Sequence, residues 1–102
     1  MKENMLEWLM NWYESNCDGD WEHSYGVKIE SLDNPGWYLE LNIKGTLYEN
    51  VDFNRIEKGR NENDWVHCKK ENGTIICAGG PHNLEEMVLI IKQWMDDNKP
   101  IN

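Results

Sequence analysis

The 102-residue chain lacks the features that would tie it to a membrane or to a disulfide framework. No apolar run approaches the roughly 18 residues needed to cross a bilayer. Three cysteines, an odd number with no CxxC pair, argue against a disulfide scaffold and for a reducing compartment. The opening stretch MKENMLEWLMNWYESN carries acids and has no small-residue cleavage site, so it does not read as a signal or transit peptide. Together these absences set the expectation of a cytoplasmic location. No repeat, low-complexity segment or linker interrupts the sequence, and residues 1–102 are read as one domain. GxSxG, P-loop and GxGxxG motifs are all missing.

The most informative absence is of positive charge. From Glu3 to Val27 there is no lysine or arginine, while Glu3, Glu7, Glu14, Asp18, Asp20 and Glu22 are all acidic. The whole chain carries a formal charge of −9. A field of this sign repels nucleic acid and anionic membrane, and it speeds encounter with basic partners. Solubility alone is the plainer explanation for it.

What the chain does have is tryptophan, six in all. Each brings a large apolar area and one N–H that needs an acceptor. Trp8, Trp12, Trp37 and Trp94 fall at core positions of the elements read below. Met5, Leu6, Leu9, Trp12 and Tyr13 follow the helical period and predict a helix over residues 4–15, opened by Asn4 with Glu7 three places on. Tyr25, Val27 and Ile29, then Trp37, Leu39, Leu41 and Ile43, alternate as in half-buried strands. Asp33-Asn34-Pro35-Gly36 turns the chain between them. Matching the apolar faces puts Val27 and Ile29 on the side of Leu41 and Ile43.

A less regular third strand is expected at 46–56, and 57–63 reads as a polar loop. Asn72-Gly73 marks a tight hairpin between the strands around Trp65–Lys70 and Thr74–Ala78. That turn sets Cys68 opposite Cys77, read as two small apolar residues rather than a redox pair. Asn83 and Glu86 open a second helix whose broad apolar face includes Leu84, Met87, Val88, Ile91, Trp94 and Met95. The expected fold is α+β: an N-terminal helix, about five antiparallel strands in a meander of hairpins, and a C-terminal helix. Both helices should pack on one sheet face. The other face should show Lys28, Glu30, Tyr38, Glu40 and Asn42 to solvent.

The stretch NCDGDWEHSYG gathers a thiol, three carboxylates and an imidazole. As a calcium loop it fails, because the position-six glycine is His23 and the position-twelve glutamate is Ile29. Cys17 and His23 alone do not make a zinc site, and His67, Cys68, Cys77 and His82 add no paired motif. Cys17 or Cys77 activated by His23 or His82 would make a small Cys/His enzyme, which requires a spatial arrangement that spacing does not supply. The stretch reads best as a helix-to-strand turn anchored by Trp21, with its carboxylates forming an exposed acidic edge.

With these residues in view, WLMNWYESNCDGDWEHSYGVKIESLDNPGWYLEL resembles the signature half of the immunity protein 53 family, small bacterial proteins assigned to polymorphic toxin systems. The likeness continues through NDWVHCK, Gly79-Gly80 and the closing helix with Trp94, and it covers nearly the whole chain. NCDGDWEHSYG and LDNPGW are its most specific parts. The resemblance implies a non-enzymatic protein, without cofactor or metal, that binds and neutralises a cognate toxin. Nucleases are common in such systems, and an acidic inhibitor suits a cationic nuclease cleft. The charged contacts then fall to Glu14, Asp18, Asp20 and Glu22, with Tyr38 and Glu40 on the open sheet face as a second choice. The expected partner is a basic toxin, neither nucleic acid nor membrane. A Cys/His enzyme and a metal-binding accessory protein stand as alternatives.

Overall fold

The computed structural model describes residues 4–99, so Glu3 of the acidic quarter lies outside the described residues. Helix α1 (Met5–Asn16) starts where Asn4 accepts hydrogen bonds from the N–H groups of Leu6 and Glu7, at 3.0 and 3.1 Å. This satisfies backbone donors that have no partner within the helix. At its other end Ser15 and Asn16 both donate side-chain bonds to the Trp12 carbonyl, and Cys17 turns extended. A single helical turn, α2 (Trp21–Ser24), follows.

Five strands come next: β1 (Val27–Leu32), β2 (Gly36–Asn42), β3 (Ile56–Asn61), β4 (Asp64–Glu71) and β5 (Thr74–Gly79). They form one antiparallel sheet in the order β1-β2-β5-β4-β3. The meander therefore runs within two sets, β1-β2 and β3-β4-β5, and the chain between them places β5 beside β2. Val27 pairs with Leu41 and Ile29 with Leu39, the register that the apolar faces dictate. Asn72 and Gly73 both have positive φ, at 51° and 73°, as a type I′ turn demands. Cys68 and Cys77 stand directly opposite, both buried and both free thiols.

The third strand differs from the sequence expectation. Residues 46–55 are turns and irregular chain, and β3 occupies the stretch read as a polar loop. The reason is its place at the sheet edge. Beyond Ile56 it is exposed on both sides, so no apolar alternation marks it. Charged side chains such as Glu57, Lys58 and Arg60 instead guard that edge.

Helix α3 (Leu84–Asp97) lies across β2, β5 and β4, burying Met87, Val88, Ile91 and Met95. Helix α1 packs against α3 on the same face and contributes Met5 and Leu9 to the core. Below them Leu39, Cys77 and Cys68 form one fully buried row across three strands, with Leu41, Ile75 and Val66 around it. Tyr48, from the irregular segment, completes the core, and Trp8, Trp12, Trp37 and Trp94 pack against it half-buried.

The end of the sheet is tightly closed. A Cβ on Gly36 would lie 2.3 Å from the Gly79 carbonyl oxygen, and one on Gly80 would lie 2.4 Å from that of Asn63. Only glycine allows these backbones to approach so closely.

Candidate protein interface

Cys17, Asp18, Gly19 and Asp20 connect α1 to α2, and hydrogen bonds to backbone give the loop its shape. One Asp18 carboxylate oxygen accepts from the N–H groups of Asp20 and Trp21, both at 2.9 Å. Glu22 reaches back from α2 and accepts from the N–H groups of Asp18 and Gly19, both at 2.9 Å. Gly19 takes φ +96°, a conformation that favours glycine. Hydrogen bonds from backbone N–H groups stabilise the ionised form of a carboxylate. The Trp21 and Asp20 N–H groups hold the Asp18 carboxyl below its ordinary range, and backbone bonds, first from its own residue, do the same for Glu22.

Trp21 anchors this loop. Its ring is 6% exposed and sits among Trp12, Tyr13 and Tyr25, with centroids 5.9–6.3 Å away. Its indole N–H donates to the Lys44 carbonyl at 2.8 Å. The loop is thus pinned to the chain leaving β2, and the charged groups project from a fixed frame.

Glu14, Asp18 and Asp20 are exposed, and Glu22 is partly so. Glu14, at the end of α1, precedes the loop. Among the described residues, none of the four carboxylates forms an ion pair, unlike Glu30 with Lys28 at 2.7 Å. The structure places Tyr38 and Glu40 elsewhere, on the sheet face away from the helices. There Lys28 lies opposite Glu40 and Glu30 opposite Tyr38, so charge alternates. Partial burial and the neighbouring Glu40 carboxylate raise the Tyr38 hydroxyl pKa. Asn42, expected on this open face, is half-buried: it accepts from the Gly26 N–H and donates to Thr74.

Among the described residues no hydrogen bond joins a thiol to an imidazole, and the Cys17 thiol donates to the Tyr13 carbonyl at 3.4 Å. Cys77 is pushed up, first by its hydrogen bond with Cys68 and then by burial, opposite to what a nucleophilic thiol needs. His67 points to the open face and meets Trp65 edge-on at 5.2 Å, whereas its neighbour Cys68 faces the helices. Among the described residues no group of three or more His, Cys, Asp or Glu is placed to hold a metal ion.

Two features lie outside the sequence reading. The first is a polar corner where Arg60 joins Asp64 (Nη2–Oδ1 2.8 Å) and Glu86 (Nη2–Oε1 2.6 Å). Asn83, buried beneath, donates to Asp64 and Glu86, both at 2.9 Å. Asn83 does occupy the position before α3, but its side chain serves this corner rather than capping the helix. The residue Asn83-x-x-Glu86 spacing signals a helix start, and nothing in it announces the partners on β3 and β4. The second is a pair of adjoining apolar recesses of about 360 and 490 Å³, both bordered by Leu6, Leu9 and Ile29.

The fold is a small α+β scaffold on which exposed charged side chains stand beside exposed apolar ones. The chain matches the family described as Immunity protein 53 over residues 6–96 and belongs to that family. It is accordingly an immunity protein, with a cognate toxin as the partner that family membership implies. No curated protein is significantly similar to it. No solved structure is either. Among the described residues no helix is long and apolar enough to cross a membrane.

Proposed function

We propose that this protein neutralises its toxin stoichiometrically in the cytoplasm by docking an acidic surface, formed by Glu14, Asp18, Asp20 and Glu22, onto a cationic face of the toxin. The observation that carries the reading is that, among the described residues, none of these four carboxylates forms an ion pair, on and beside a loop whose shape is fixed from within. Asp18 and Glu22 are ionised at neutral pH as carboxylates ordinarily are, and their backbone bonds hold them in place, so their charge is available without rearrangement. Preorganised charge of one sign steers encounter and raises the association rate. A nuclease cleft, which must attract polyanions, is the complementary surface of choice. Tyr38 and Glu40 provide a secondary contact on the open sheet face.

The test uses the catalytically inactivated toxin domain encoded beside this gene. Glu14→Lys and Asp20→Lys together reverse charge at carboxylates that do not brace the loop, so the fold is preserved. Association should slow about tenfold or more, and its dependence on salt should weaken. Unchanged association and salt dependence would show that the toxin does not dock through this loop.

A further inference from the structure

We propose that the apolar groove between α1 and the edge strand β1 seats an apolar, lysine- or arginine-flanked segment of the toxin. This rests on the toxin-binding reading above and adds a second contact to it. Helix α1 has a wider apolar arc than the core uses. Met5 and Leu9 are buried, whereas Leu6, Met10 and Tyr13, four and three residues apart on one side of the helix, are 62%, 57% and 38% exposed. Ile29 on β1 faces them across the groove and is 40% exposed. Contiguous exposed apolar surface of this kind on a small protein marks an interaction site.

Charge selects the occupant. Glu7 and Glu14 flank Met10 on the outer side of α1, and Glu85 borders the groove at its other end. Among the described residues, no lysine or arginine lines either recess. A second copy of this chain would bring the same acidic rims together at a net charge of −9 each, which opposes pairing. A segment with an apolar centre and cationic flanks meets both features. The groove also leads along α1 to Glu14 and the acidic loop, so one partner can cover both. Charge would then govern encounter, and the apolar anchors would govern how long the complex lasts.

The experiment compares wild type, a Leu6→Gln/Met10→Gln double variant and an Ile29→Thr variant. Glutamine keeps helix propensity and threonine keeps strand propensity. Each is titrated with the inactivated toxin domain, with urea unfolding and size-exclusion chromatography alongside. Binding about tenfold or more weaker, through faster dissociation and with an unchanged salt dependence, is the expected result. If the double variant lowers the urea midpoint, Ile29→Thr decides alone. Wild-type binding by these variants would overturn the groove assignment and leave the toxin reading standing. A wild-type dimer dissolved by the substitutions would overturn it in favour of self-association. Failure of the wild type to bind the toxin domain would overturn both readings together.

Discussion

Asp18 shows how one side chain can serve shape and charge together. Its carboxylate accepts from two backbone N–H groups that would otherwise face solvent at the start of α2, and the same bonds favour its ionised form. Asp18→Ala should therefore lower the thermal midpoint, while Asp18→Asn, which keeps an acceptor oxygen, should recover most of the loss. The pH dependence follows from the sign of the shift. Asp18 and Glu22 are lowered in the folded state, so their contribution is complete above the ordinary carboxylate range and drains away as acidification passes through the lowered values. Below about pH 4 the gap between the wild-type and Asp18→Ala unfolding curves, followed by tryptophan fluorescence, should narrow as the charge-dependent part of these bonds is lost. A gap that widened on acidification would refute this account. The sequence already showed Asp18-Gly19-Asp20 as a turn held by Trp21. It did not show that Asp18 and Glu22 would bond to backbone, because that depends on the single turn of α2, too short to leave a periodic signal.

At the scale of elements, a tight turn sets the register of the two strands it joins. The Asn72-Gly73 turn fixes β4 on β5 and so aligns Cys68 with Cys77 beneath α3. Both thiols should be alkylated only at the rate of global unfolding, whereas half-exposed Cys17 should react first, as timed thiol labelling under native conditions would show. Rapid labelling of all three would mean that the sheet opens locally. The polar corner joins elements distant in sequence: Arg60 from β3, Asp64 from β4, and Asn83 and Glu86 at the start of α3. Asn83→Ala would remove one donor from Asp64 and Glu86, which keep Arg60, and would leave the part-buried Trp65 N–H, which donates to Asn83 at 3.4 Å, without that acceptor. Its expected cost is about 1–3 kcal/mol in urea unfolding. A loss near zero would mean that water replaces the amide without penalty. Hairpins and amphipathic helices were legible because their signals are local. The edge strand β3 and this corner were not, since one lacks a buried face and the other forms only when the β4–β5 pairing brings the start of α3 beside the β3–β4 turn.

At the scale of the molecule, α1 lends Met5 and Leu9 to the core beneath it and α3, and its outer side with the following loop forms a flank that carries Glu14, Asp18 and Asp20 beside exposed Leu6 and Met10. The charge asymmetry was readable from the sequence, because it needs only a count of signs along the chain. The apolar groove was not, because Leu6 and Ile29 fit core patterns equally well, and only the position of β1 at the sheet edge leaves them uncovered. The central claim is that this flank docks a cationic toxin. It is tested most directly by measuring the association rate of the inactivated toxin domain with wild type and with Glu14→Lys/Asp20→Lys across a range of sodium chloride concentrations. The account predicts a wild-type rate that falls steeply with salt and a slower rate with a weaker salt dependence for the variant. Equal rates with equal salt dependence would contradict it.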